Sequence, residues 1–98
     1  MNEDKINEIH DFYERLKTEL NISNQWPSEY LFKFIVPSKT ENIDKIENAF
    51  DGMGAVIKTT KSKTGKFTSI SIDIVVENAE IIITKYQEVG NIEGIISL

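Results

Sequence analysis

Between Gly65 and Val76 apolar and polar residues alternate. Thr68, Ile70, Ile72, Ile74 and Val76 fall on one side, and Phe67, Ser69, Ser71 and Asp73 on the other. A period of two marks a half-buried strand, and the branched side chains suit a pleated surface. A run this long with one apolar side predicts a central strand over residues 66–76. A second alternating run, 29–36, sets Tyr30, Phe32, Phe34 and Val36 against Leu31, Lys33 and Ile35. The lysine marks the second face as the less buried one. Two shorter strands are expected at 55–60, carrying Val56 and Ile57, and at 92–98. Residues 61–65, ending in Gly65, read as the turn of a hairpin into the central strand.

Elsewhere the period lengthens. Ile6, Ile9, Tyr13, Leu16 and Leu20 recur every three or four positions from Asp4 to about Asn21, with Phe12 widening the stripe. That spacing predicts an amphipathic helix, and Glu3, Asp4 and Glu8 suit its N-terminus. Residues 22–25 form a polar linker into Trp26-Pro27, where proline forbids helix continuation. Ser38 and Glu41 have the spacing of a capping box, with Thr40 an alternative cap, ahead of a stripe of Ile43, Ile46, Ala49 and Phe50. Gly52 or Gly54 ends that helix. Asn78 caps the last helix, whose Ile82, Ile83, Tyr86 and Val89 face inward, Ile81 less clearly so, and Gly90 terminates it.

Without the leading helix the order is strand, helix, strand, strand, helix, strand. Two right-handed crossovers place both helices on one face of a four-stranded antiparallel sheet with 29–36 and 66–76 in its middle. The expected fold class is therefore α+β, a ferredoxin-like βαββαβ sandwich over residues 26–98. An additional N-terminal amphipathic helix and linker occupy 1–25.

Three stretches within that order are familiar. Trp26-Pro27-Ser28-Glu29-Tyr30-Leu31-Phe32-Lys33 resembles the aromatic-Pro-x-x-aromatic-x-aromatic-Lys opening of the YbeD-like family, small bacterial proteins of uncharacterised function. Gly65-Lys66-Phe67-Thr68-Ser69-Ile70-Ser71-Ile72 is similar to that family's Gly-x-aromatic-x-Ser-aliphatic-Ser-Ile strand. Tyr86-Gln87-Glu88-Val89-Gly90-Asn91-Ile92 looks like its Tyr-x-Glu-aliphatic-Gly-x-Ile helix exit. The resemblance spans about residues 26–98. It implies the same ferredoxin-like fold, a kinship in shape with ACT regulatory domains, and through that a regulatory role. ACT domains that bind amino acids usually carry glycine in the loop after the first strand, where this chain has Pro37-Ser38-Lys39-Thr40. The leading helix is longer than the family's N-terminal segment.

Composition narrows the chemistry. The 98 residues suit one domain with a single core. There is no cysteine and one histidine, His10, which leaves no thiolate, no redox pair and no His/Cys metal set. His10 lies beside the leading stripe and reads as a surface residue. No run approaches the ~18 apolar residues of a membrane span, and the N-terminus is polar, so a cytoplasmic protein is expected. A net charge of -5 disfavours nucleic acid as a general partner.

The face opposite the helices should show Leu31, Lys33, Ile35, Phe67, Ser69, Ser71, Asp73 and Ile95. Its apolar members are too many to stand in water as a block. Cover by the leading helix, of this chain or of a second copy, or by an unidentified partner protein is therefore expected. RNA-binding sheets of this topology expose aromatics on both central strands, and here Phe67 stands alone. Ser69 and Ser71 have no positioned histidine, and Asp73 is expected to pair with Lys33 across the strands. The lone arginine, Arg15, lies in the leading helix, away from any phosphate loop of the acylphosphatase kind. These readings give no catalytic residue, no cofactor and no metal. A non-enzymatic regulatory or adaptor domain acting through its sheet face or edge is the first expectation. An ACT-like small-ligand sensor is the second, with Ser38, Lys39 and Thr40 at a helix N-terminus receiving a carboxylate or phosphate. A weak nucleic-acid contact is the third, through Lys58, Lys61, Lys63 and Lys66. The bland alternative for those lysines is an edge strand kept from pairing with strangers.

Overall fold

The computed structural model describes residues 3–98. The order is α1 (Glu3–Ser23), β1 (Ser28–Pro37), α2 (Thr40–Ala49), β2 (Val56–Lys61), β3 (Phe67–Val76), α3 (Ala79–Val89) and β4 (Ile96–Ser97). The strands form one antiparallel sheet in the order β2-β3-β1-β4, so β1 and β3 are central as the two long alternations require. This is the ferredoxin-like arrangement. Register runs without a break from Ser28 opposite Val76 to Pro37 opposite Phe67. Phe32 therefore shares a face with Ile72, and Phe34 with Ile70. A slip of one residue would turn both sets into water.

The core lies between this face and the helices. Phe32, Phe34, Val36, Ile70, Ile72, Ile74 and Val76 meet Ile46 and Phe50 from the α2 side and Ala79, Ile82 and Val89 from α3. The Phe32 ring touches Phe50 and Tyr86 at centroid distances of 5.0 and 5.1 Å. Each buried side chain of this size contributes ~1.5–3 kcal/mol before ordering entropy is subtracted. Lys85 closes the space between the helices: its ammonium donates to the Ala49 carbonyl at the end of α2 and lies over the Phe50 ring. A cation suits that end of a helix dipole.

The cap of α3 is as expected, with the Ile81 amide donating to Asn78 Oδ1 at 3.0 Å. The cap of α2 is not. Lys39 occupies the N-cap without a side-chain bond, and Thr40 is already the first helical residue. Ser38 turns away because its hydroxyl pairs with Thr68 Oγ1 at 2.7 Å, satisfying the one buried hydroxyl of β3. The Asn42 side chain donates back to the Pro37 carbonyl instead. Burial of Thr68 outweighs a local capping box, since a buried hydroxyl without a partner costs more than an exposed helix end.

The last strand is shorter than the expected 92–98. Residues 91–95 turn instead: Ile92 and Ile95 each bond to a carbonyl three residues back, and Gly94 takes a positive φ of 81°. Ile92 is drawn into the core. Ile96 and Ser97 pair with β1 through Ile35 and Phe34, and the Leu98 amide donates to the Lys33 carbonyl at 2.9 Å.

The leading helix does not cross the sheet. It packs against α3 in the helix layer. Leu20 is buried in the common core and Leu16 lies against it. Lys17 reaches Glu80 at 3.1 Å. The bond to Glu80 raises the Lys17 pKa, while Glu80 is held below the usual carboxylate value first by its own backbone amide and then by Lys17. Ile83, expected to face inward, lines the groove between α1 and α3 with Ile6, Ile9 and Tyr13. The linker is tied down on both sides. Asn24 donates to the Leu20 carbonyl, Ser28 Oγ to Asn24 Oδ1, and Trp26 Nε1 to Asn21 Oδ1.

Candidate functional site: the open sheet face

With all three helices on one side, the reverse face of the sheet is bare. Its rows follow from the register. Glu29 stands beside Val75; Leu31, Asp73 and Val56 form the next row; then Lys33, Ser71 and Lys58; then Ile35, Ser69 and Thr60; and Phe67 lies beside Pro37. Leu31, Val56 and Phe67 expose 51%, 59% and 44% of their surface, and Val75 63%. These are large apolar side chains on a rigid pleat, not scattered over loops. A shallow hollow of about 290 Å³ is lined by Leu31, Val56, Lys58, Ser71 and Asp73.

Most of the expected face is present: Leu31, Lys33, Ile35, Phe67, Ser69, Ser71 and Asp73 all lie on it. Ile95 does not. Opposed residues of antiparallel strands share a face, and it is Ile96 that sits opposite Ile35, which turns Ile95 to the other side. There Ile95 packs towards Phe12, Leu16 and Tyr86. Ile96 takes its place, 51% exposed. Val75 and Val56 also belong to the face. The parity of Val75 with Asp73 was the available signal; Val56 and Ile96 needed the strand register.

The expected Asp73–Lys33 pair is not formed. Asp73 lies directly opposite Leu31 and Val56, whereas Lys33 faces Ser71. The polar neighbour of Asp73 is Glu29. Asp73 raises the Glu29 pKa above the usual carboxylate value, first by accepting a hydrogen bond from the protonated Glu29 carboxyl and then through its charge. One end of the face is thus acidic and the other, from Lys33 and Lys58 towards the hairpin, basic.

The remaining candidates are dispersed. Ser38 and Thr40 are separated in role, the first committed to Thr68 and the second inside α2, while Lys39 is exposed. Lys58 rises on the open face, Lys61 lies on the other side of β2, and Lys63 and Lys66 sit in the turn. His10 is exposed on α1, 3.8 Å from Asp11 and 4.0 Å from Glu14, in the opposite layer from Ser69 and Ser71. Among the described residues no three His, Cys, Asp or Glu side chains gather as metal ligands, and no helix is long and apolar enough to cross a membrane.

A protein-family model described as "Protein of unknown function (DUF493)" matches residues 21–98, leaving most of α1 outside the matched segment. No curated protein and no solved structure matches the chain.

Proposed function

The chain belongs to the DUF493 family of proteins of unknown function, and on that premise we propose that it is a non-enzymatic adaptor or regulatory domain that binds a partner protein through its open sheet face. One observation carries this reading. Leu31, Val56, Phe67, Val75 and Ile96 are exposed on one face of a well-packed sheet. The amphipathic helix that could have covered them is docked on α3 instead. Leu31, Val56 and Val75 form one apolar group and Ile35, Phe67 and Ile96 another, with the Lys33–Ser71–Lys58 row between them. Exposed apolar surface rimmed by polar residues marks an interaction site. The acidic and basic ends of the face supply orientation, because charge patterns select partners and fix register more than they add affinity.

Affinity capture from the protein's own host tests this, with wild type beside Phe67→Asp and Ile22→Asp. Both sites are exposed, and Ile22 lies on α1, away from the face. The expected result is a set of proteins lost with Phe67→Asp and kept with Ile22→Asp. Recovery of the same proteins by all three forms refutes the reading.

A further inference from the structure

The open face ends on one side at β2, whose outer edge has no strand beside it. The Ser62 amide bonds to the Phe67 carbonyl at 2.8 Å, and this sets the alternation of the β2–β3 ladder. Val56, Lys58 and Thr60 therefore point their backbone groups towards β3. The amide and carbonyl groups of Ile57, Thr59 and Lys61 point outward. These are the groups an added strand would use.

From Lys58 onward the charged side chains along this edge are of one sign, while at its start Glu47 and Asp51 line a hollow with Ile57. Residues 58–66 carry Lys58, Lys61, Lys63 and Lys66 and no acid, in a chain of net charge -5. None of the four forms an ion pair with an acidic side chain among the described residues. Lysines on an edge turn away neutral and basic strands, and two copies of this edge would bring like charges together. The same charges favour an acidic strand.

We infer that the outer edge of β2 receives an extended, acidic segment of the partner as a fifth strand. This rests on the protein-binding reading above and names the chemistry of what is bound. Register dictates a probe. A segment antiparallel to β2 with the sequence Glu-Thr-Val-Glu-Ile-Val places its glutamates opposite Lys61 and Lys58 and its last valine opposite Val56.

The experiment is fluorescence polarisation of that labelled peptide with the full chain. Wild type is expected to bind with an affinity that falls as salt rises. Lys58→Glu with Lys61→Glu is expected to weaken binding by about tenfold or more. Thr59→Pro removes an outward amide without touching the β3 ladder, so it keeps the fold and is also expected to cost about tenfold. Phe67→Asp, on the sheet face, is expected to leave the peptide bound. No binding up to about 1 mM overturns the proposal. So does binding that Thr59→Pro leaves intact, since main-chain pairing is then not the mode. Equal displacement by a short oligothymidylate makes the hairpin a general polyanion contact and overturns it as well. Failure of the peptide while Phe67-dependent capture persists removes the edge and leaves the sheet face. Peptide binding with capture indifferent to Phe67→Asp does the reverse.

Discussion

Truncating Leu20 asks whether α1 is part of the fold or an appendage. Leu20 lies in the last turns of α1, is 8% exposed, and belongs to the same core as Phe32 and Ile82. Leu20→Ala removes three buried carbons, about 2.4 kcal/mol at ~0.8 kcal/mol per carbon. Fully enclosed leucines lose ~2.7–5 kcal/mol because a cavity remains. Leu20 sits at the margin of the core, where neighbours and water close the gap, so about 2–3 kcal/mol is expected. For a domain of this size that lowers the melting temperature by on the order of 10 °C or more. The assay is urea denaturation followed by far-ultraviolet circular dichroism and by the fluorescence of Trp26, which is bonded to Asn21 at the junction of α1 and β1. Ile22→Ala, at a position 81% exposed, is the control and should change stability by less than about 0.5 kcal/mol. If Leu20→Ala also stays within about 0.5 kcal/mol of wild type, α1 is not anchored in the core. If Leu31→Ala costs more than Leu20→Ala, the helix rests on the sheet face and the proposed surface is already covered.

Four further outcomes are expected. Tyr86→Phe breaks the 2.8 Å bond between the Tyr86 and Tyr30 hydroxyls and should cost about 1 kcal/mol in chemical denaturation. Burial first, and then that bond, hold the Tyr86 pKa above the ordinary tyrosine value. In an ultraviolet titration one tyrosine should therefore ionise late, and its contribution to stability is present below the unfolded value and lost as pH rises. For Glu29 the folded pKa lies above the unfolded one, so the native state binds that proton more tightly. Its contribution is present below pH 4.5 and is lost as pH rises through the folded value. Glu29→Gln should consequently be no less stable than wild type at neutral pH, and a clear destabilisation there would show that Asp73 does not oppose its charge. Gly94→Ala should destabilise by about 1–2 kcal/mol, because φ is 81° and the new Cβ would stand 3.0 Å from Pro37 Cγ; unchanged melting would contradict the turn that shortens β4.

Particular residues show why some features could be read along the chain and others could not. Ile70, Ile72 and Ile74 announce a buried strand face by spacing alone, and they are 1%, 0% and 2% exposed. Asn78 announces a cap, and the cap forms. Ser38 carried an equally good local signal, yet its hydroxyl went to Thr68, thirty positions away. Ile95 and Ile96 are chemically alike and adjacent, so nothing local distinguishes the one that faces the core side from the one that faces solvent. Pairing with Ile35 makes the choice. Asp73 has Glu29 and Lys33 on the same face, each two residues from its partner Leu31, and it is Glu29 that it meets; spacing along the chain does not separate the two.

Sequence alone determined the two central strands and their buried sides, the order of the elements, and the absence of thiol chemistry, because each of these depends on residues close together or on composition. Tertiary structure decided where α1 lies and therefore what surface is left bare. An amphipathic stripe requires only some apolar surface to bury against, and hydrophobic attraction has no direction of its own. Both the flank of α3 and the open sheet face met that requirement. The tied linker from Asn21 to Ser28 and the seat for Leu20 beside the core selected the first.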